Sequence, residues 1–220
     1  MTTAGVAPGR PPAQPVRLEF VEGGIARLTL SRPERRNAIS AETARAFLAA
    51  VADAEAAGAT VIVLDAEGPA FCAGADLADL HASAVAVDEV VLAIRRSSAC
   101  WIAAAAGAVR GAGLAVLDAC PLVVAADTAT FGLPELHQGF FPRPLLLGPL
   151  ASVPPRAAFQ LAFSGLPVDA ERAHALDLVS RVVGPDELLA VALGEARRLV
   201  CLNPDAVADG VRTWRLIRGS

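Results

Sequence analysis

Three short, almost uncharged stretches constrain this chain more than anything else in it. Thr60–Asp65, Trp101–Ala106 and Leu122–Ala126 are apolar at nearly every position and show no alternation with polar residues. A strand with one wet face alternates. A run that does not must be buried on both faces, as in a parallel sheet covered by helices. The first two runs each lead through a glycine-containing turn, Ala66–Asp76 and Gly107–Gly113, into helical segments at Leu77–Ser97 and Leu114–Ala119. Upstream, Val16–Phe20 and Ile25–Ser31 alternate around Glu22-Gly23-Gly24 and read as a hairpin. Ser40 caps a helix to about Ala57, and Gly58 stops it. Thr130-Phe131 is a short extended piece. From about residue 142 the pattern is helical (Leu145–Ala151, Arg156–Phe163, Asp169–Leu176, Pro185–Leu199, Pro204–Trp214), with one strand at Val179–Val183. The fold class is α/β with a helical C-terminal part, and no linker divides residues 16–220.

Bulk properties narrow the function classes. The hydrophobic fraction is 54% and mean hydropathy is +0.48, enough for a large core. The net charge is −4 and no basic cluster occurs, which argues against nucleic acid as a partner. The longest charge-free run, Ser97–Val109, has 13 residues, short of the ~20 of a membrane-spanning helix. Residues 1–15 carry four prolines and no apolar core, so they read as a disordered leader rather than a signal peptide. Cys72, Cys100, Cys120 and Cys201 lie far apart without a CxxC or Cys/His cluster, which points to reduced thiols in a cytoplasmic protein and to no metal site. The chain has 48 alanines and 19 arginines but no lysine, a compositional bias that makes single Ala and Arg residues weak functional signals.

Three segments are more specific. Phe71-Cys72-Ala73-Gly74-Ala75-Asp76 follows a buried strand, and its small residues allow close backbone approach to a ligand at the start of the next helix. Gly107-Ala108-Val109-Arg110-Gly111-Ala112-Gly113 does the same. A dinucleotide fingerprint would need a third glycine at position 116, where valine stands, so that reading is rejected. Phe131-Gly132-Leu133-Pro134-Glu135 presents a carboxylate on a rigid proline turn.

Together with Ser31-Arg32-Pro33-Glu34-Arg35-Arg36-Asn37-Ala38 and Ala170–Val183, these segments resemble, in order and spacing, the enoyl-CoA hydratase/isomerase (crotonase) superfamily. The resemblance runs from Val16 to about Asp205. It implies a spiral of ββα units whose C-terminal helices commonly mediate trimerisation, so a homo-oligomer (trimer or hexamer) is expected. The chain stops at Ser220, where family members continue for roughly another turn and helix, so that helical part is expected to be shortened.

The resemblance also implies a chemistry. An acyl thioester, on coenzyme A or on the phosphopantetheine of a carrier protein, passes through an enolate, and no separate cofactor is needed. By position, the backbone N–H groups of Ala75 and Ala112 would form the oxyanion hole. Arg36, Ala38, Ala73, Asp76 and Gly111 would contact the substrate and its coenzyme A arm, and Glu135 would move the proton. Hydratases of the family use a second glutamate two residues after the Gly-rich turn, and Ala115 stands there. One glutamate at the Glu135 position resembles two subgroups: enoyl-CoA isomerases, and dehydratases of polyketide β-branching that act on a carrier-bound 3-hydroxy-3-methylglutaryl thioester. The run Gly139–Leu147 replaces the usual G-x-x-P-G-x-G-G, and replacement of that motif is also a feature of both subgroups. Asp118 and His137 are further candidates to assist. A non-catalytic accessory protein that binds acyl thioesters is the other open reading.

Overall fold

The computed structural model describes residues 14–217 except 149 and 152. Most of the leader expected over residues 1–15 therefore lies outside the described residues, but Pro15 is buried and its carbonyl accepts the Ser31 N–H at 2.9 Å. The polypeptide is thus held from Pro15 onward.

The main sheet contains β1 (Val16–Glu22), β2 (Ile25–Leu30), β3 (Val61–Ala66), β5 (Cys100–Ala105), β7 (Leu122–Ala126) and β10 (Arg181–Val183), side by side in that order. The β1–β2 pair is an antiparallel hairpin and every other pairing is parallel. The absence of alternation in the three apolar runs has a direct cause. Ile62, Leu64, Trp101, Ala103, Val123 and Ala125 enter one core. Their neighbours Val61, Val63, Cys100, Ile102, Val124 and Ala126 enter a second core on the opposite face. Against the first face pack α1 (Ala41–Ala56), α2 (Leu80–Arg96) and α3 (Ala112–Ala119); α7 (Leu188–Val200) covers the second through Ala192 and Ala196. Ser40 caps α1 by accepting the Thr43 N–H, and Phe47 of that helix stacks on Trp101 with ring centroids 5.7 Å apart.

A second sheet was not legible as such. It is built from β4 (Ala70–Cys72), β6 (Ala108–Arg110), β8 (Thr130–Gly132) and β9 (Val168–Asp169), in that order, with an isolated bridge from Ile39 to Ala75 at its edge. The segments read as the loop Ala66–Asp76 and the turn Gly107–Gly113 therefore each contain a strand. Strands of three residues are too short to display a period of two, and glycine neighbours mask them further. The units β3–β4–α2 and β5–β6–α3 repeat the same course: a long strand, a short strand, then a helix. This is the repeating ββα unit that the resemblance implies.

Smaller corrections concern helix ends. A 3-10 turn, Leu77–Asp79, precedes α2, and α3 begins two residues earlier than expected, at Ala112. The helix expected at Leu145–Ala151 is instead α4 (Arg143–Leu147), started by Pro144 in its first turn and ended at Gly148. The helical C-terminal part continues with α5 (Pro155–Ser164), α6 (Ala170–Ala175), α7 and α8 (Pro204–Ile217). No described helix is long and apolar enough to cross a membrane.

Candidate active site

The turn after β2 is organised by Asn37 and Arg32, to which the sequence assigns no individual role. Arg36 and Asn37 both take left-handed backbone conformations, with φ of 50° and 54°. Asn37 is buried; its Oδ1 accepts the Arg32 N–H at 2.8 Å, and its Nδ2 donates to the carbonyls of Glu67 and Ala70 at 2.8 and 2.7 Å. It therefore ties this turn to the approach and start of β4. Arg32 donates to Ala38 O, Ser40 Oγ and Thr43 Oγ1, and lies 3.6 Å from the Asp76 carboxylate. The available signal was asparagine, the residue besides glycine that tolerates left-handed backbone best.

Backbone pairing carries this order to the second segment. Ala73 donates to Arg36 O at 3.0 Å, Ile39 to Gly74 O at 2.8 Å, and Asp76 to Ile39 O at 2.9 Å. Gly74 has φ of 98°, and a Cβ there would sit 3.1 Å from Arg110 O and 3.3 Å from Ala112 N. The turn after β4 and the turn after β6 are thus in contact through backbone atoms. Ala112 is the first residue of α3, so its N–H has no intrahelical acceptor. Among the described residues neither the Ala75 nor the Ala112 N–H donates a hydrogen bond. A methyl on Gly113 would meet Cys72 O at 2.7 Å, so this turn packs too tightly for a side chain there. The Cys72 thiol is buried, and desolvation pushes it up to about 11. A thiol kept buried and protonated in this way is poorly suited to act as a nucleophile.

Glu135 opens the 3-10 turn Glu135–Gln138 directly after Pro134. Its side chain is 6% exposed, and among the described residues Oε2 has no hydrogen-bond partner. Burial raises its pKa above the ordinary carboxylate value. A Cβ on Gly111, whose φ is 52°, would lie 2.4 Å from Glu135 Oε1. The three segments singled out in the sequence therefore meet in space: Gly74 against Ala112, and Gly111 against Glu135.

The remaining candidates divide. Ala115 lies one helical turn beyond Gly111, half-buried, with only a methyl to offer. Asp118, on the same face, is paired with Arg95 at 3.1 Å and so is held between α2 and α3. His137 is exposed, and its ring lies against Gly165 at the end of α5 rather than against Glu135. Asp76 caps the Leu77–Asp79 turn through Ala78 N at 3.1 Å and faces Arg32, which is a structural use of its carboxylate. Ala38 is buried, Ala73 half-buried and Arg36 exposed. Arg110, not singled out from sequence, donates to Val109 O, Thr130 O and Thr130 Oγ1 at 2.9, 2.6 and 2.9 Å and so braces β6 to β8. Among the described residues no group of three His, Cys, Asp or Glu side chains is disposed to hold a metal ion.

Known proteins share this fold. Residues 21–210 match the family described as enoyl-CoA hydratase/isomerase. A mevalonyl-coenzyme A hydratase of Aspergillus fumigatus is 36% identical over 208 residues, covering 90% of this chain and 77% of that protein. The mitochondrial enoyl-CoA hydratase domain-containing protein 3 of Mus musculus is 30% identical over 203 residues, covering 88% and 68%. Among solved structures, an enoyl-CoA hydratase of Mycobacterium smegmatis is 32% identical with a TM-score of 0.86, over 92% of this chain and 83% of that one. A monofunctional enoyl-CoA isomerase from the same organism is 28% identical with a TM-score of 0.80, over 94% and 95%. The chain therefore belongs to the enoyl-CoA hydratase/isomerase family, a crotonase-superfamily group of enzymes acting on acyl-CoA thioesters.

Proposed function

We propose that the protein moves one proton with one carboxylate, Glu135, on an acyl thioester whose enolate oxygen is held by the N–H groups of Ala75 and Ala112. The observation carrying this reading is the pairing of a buried, desolvated Glu135 at the Gly111 turn with a methyl at position 115. Desolvation makes the carboxylate a stronger base, suited to removing a proton from the carbon next to a thioester carbonyl. The charge that develops on the carbonyl oxygen needs donors with no other partner, and each such donor typically contributes ~2.7–4 kcal/mol to the transition state.

Two reactions close with that machinery. In a 3-enoyl thioester, Glu135 takes a proton from C2 and the protonated carboxyl returns it to C4, which leaves a 2-enoyl thioester. In a 3-hydroxyacyl thioester, Glu135 takes the C2 proton and gives it to the departing C3 hydroxyl, which leaves as water. Hydration is the second reaction run backwards, so for a given acyl chain the two rates are tied by the equilibrium constant; with only a methyl at Ala115 to meet the water, both are disfavoured on an unbranched chain such as crotonyl. The mevalonyl-CoA hydratase likeness favours the second reaction, because a mevalonyl group bears its hydroxyl on a branched C3. Coenzyme A or phosphopantetheine enters as part of the substrate. Rates on 3-enoyl, 3-hydroxyacyl and crotonyl thioesters, for the protein as it stands and for Glu135→Gln, test the reading. Isomerisation or dehydration is expected to exceed crotonyl hydration and to be lost in the variant. Crotonyl hydration equal to either would overturn it.

A further inference from the structure

Between Gln138 and Val168 the sequence carries Arg143 and Arg156 but no aspartate or glutamate, in a chain whose net charge is −4. This segment also holds three phenylalanines that the core does not use. Phe159 and Phe163, one turn apart on α5, stack with ring centroids 4.0 Å apart and planes 11° off parallel. Phe141 tilts onto Phe163 at 5.4 Å. The three are 60%, 47% and 41% exposed. Arg156 precedes Phe159 by three residues on the same helix face, Arg143 follows Phe141 by two, and both are exposed. Among the described residues neither arginine pairs with a carboxylate. Single exposed apolar residues are ordinary, but aromatic rings in mutual contact with a charged rim mark an interaction surface.

The patch is continuous with the site. The Phe140 N–H donates to Glu135 O at 3.1 Å, and the His137 ring rests on Gly165, the residue that ends α5. Phe140, the neighbour of Phe141, and His137 thus link the aromatic face to the turn that opens with Glu135. We propose that this face docks an acidic acyl-carrier domain, which presents the thioester to Glu135 on its phosphopantetheine arm. The inference rests on the function proposed above. An arginine-only rim complements an acidic partner and steers its approach. A few preassembled rings suit a partner that must leave after each turnover better than a wide permanent interface does. Two arginines also fall short of the cluster of about four to eight basic residues that marks a lipid-binding segment.

The test compares one acyl group on two carriers, coenzyme A and an isolated acyl-carrier domain, with the full chain and two double variants, Phe159→Ser/Phe163→Ser and Arg143→Glu/Arg156→Glu. Each double variant should lower kcat/KM on the carrier-bound thioester by about ten-fold or more, as loss of interface hot spots does. Added salt should weaken the carrier reaction of the unmodified chain, and the coenzyme A thioester should be turned over unchanged by all three proteins. Binding of the unloaded carrier, followed by fluorescence anisotropy, reads docking even if no thioester tried is a substrate. Docking that fails while the coenzyme A thioester reacts overturns this inference alone. Equal losses on both carriers, dissociation of an oligomer in the variants, or variant-sensitive binding to anionic phospholipid vesicles in place of the carrier would also overturn it.

Discussion

A methyl group at position 111 would collide with the carboxylate of Glu135. The Cβ of an alanine there would lie 2.4 Å from Oε1, and ordinary contact begins near 3.4 Å, so the oxygen must withdraw by about 1 Å. A misplacement of that size can cost about 10²-fold in rate even when every group is still present. Position 111 also sits at φ 52° and ψ −124°, a region that residues with a Cβ avoid, which adds about 1–3 kcal/mol of strain. Gly111→Ala should therefore lose about two orders of magnitude in kcat on the best thioester and melt lower by several degrees, since about 1 kcal/mol corresponds to roughly 2–4 °C in a domain of this size. The two costs separate in a double-mutant cycle. Glu135→Ala removes the colliding atom but not the backbone strain, so part of the melting loss should disappear in the double variant, with a coupling of about 0.5–3 kcal/mol. A Gly111→Ala protein with unchanged kcat and a melting temperature within a degree of the parent would refute the contact between this turn and Glu135.

Glu135→Gln should lower the isomerase or dehydratase rate by about 10²–10⁴-fold. Because burial raises the Glu135 pKa, the stability that this group contributes is fully present below the ordinary carboxylate value and is lost as pH rises through the raised one. The glutamine variant should lack that decline in denaturation followed across pH, while the parent's rate climbs over the same interval as the base form appears. Asn37→Ala deprives Arg32 N, Glu67 O and Ala70 O of their partner, and at about 1–3 kcal/mol for each buried group left unsatisfied it should be among the most destabilising single changes in urea unfolding. Ala115→Glu should raise crotonyl hydration relative to isomerisation. An unchanged ratio in a folded variant would mean that position 115 does not face the reacting carbons.

How legible each feature was depended on how locally it is encoded. The apolar runs that became β3, β5 and β7 could be read because burial on both faces writes itself into consecutive residues. Strands β4, β6, β8 and β9 could not, because their pairing joins residues some 40 apart in the chain, such as Ala70 with Ala108, and two or three residues carry no period. At the site, the residue types at positions 74, 111 and 135 pointed to chemistry through their family resemblance, but no spacing rule predicted that Gly111 would touch Glu135. Asp118 was a candidate acid because it shares a helix face with Ala115. Its partner, Arg95, comes from a different helix, and sequence alone could not supply that pairing. Asn37 and Arg32 stood in a family motif without a role of their own for a related reason, since their importance lies in three carbonyls and two hydroxyls that only the folded chain brings within reach.

The short sheet acts as a ruler. Strands β4 and β6 are hydrogen-bonded neighbours, and parallel neighbours stand about 4.8 Å apart whatever their side chains. The turns that leave them, at Gly74-Ala75 and Gly111-Ala112, inherit their separation from that backbone constant, and no side chain sets it. Substitution at the surface of either turn leaves the distance between their amides in place so long as the strands stay paired. Most side chains around the two turns can therefore change while the gauge between the amides does not move.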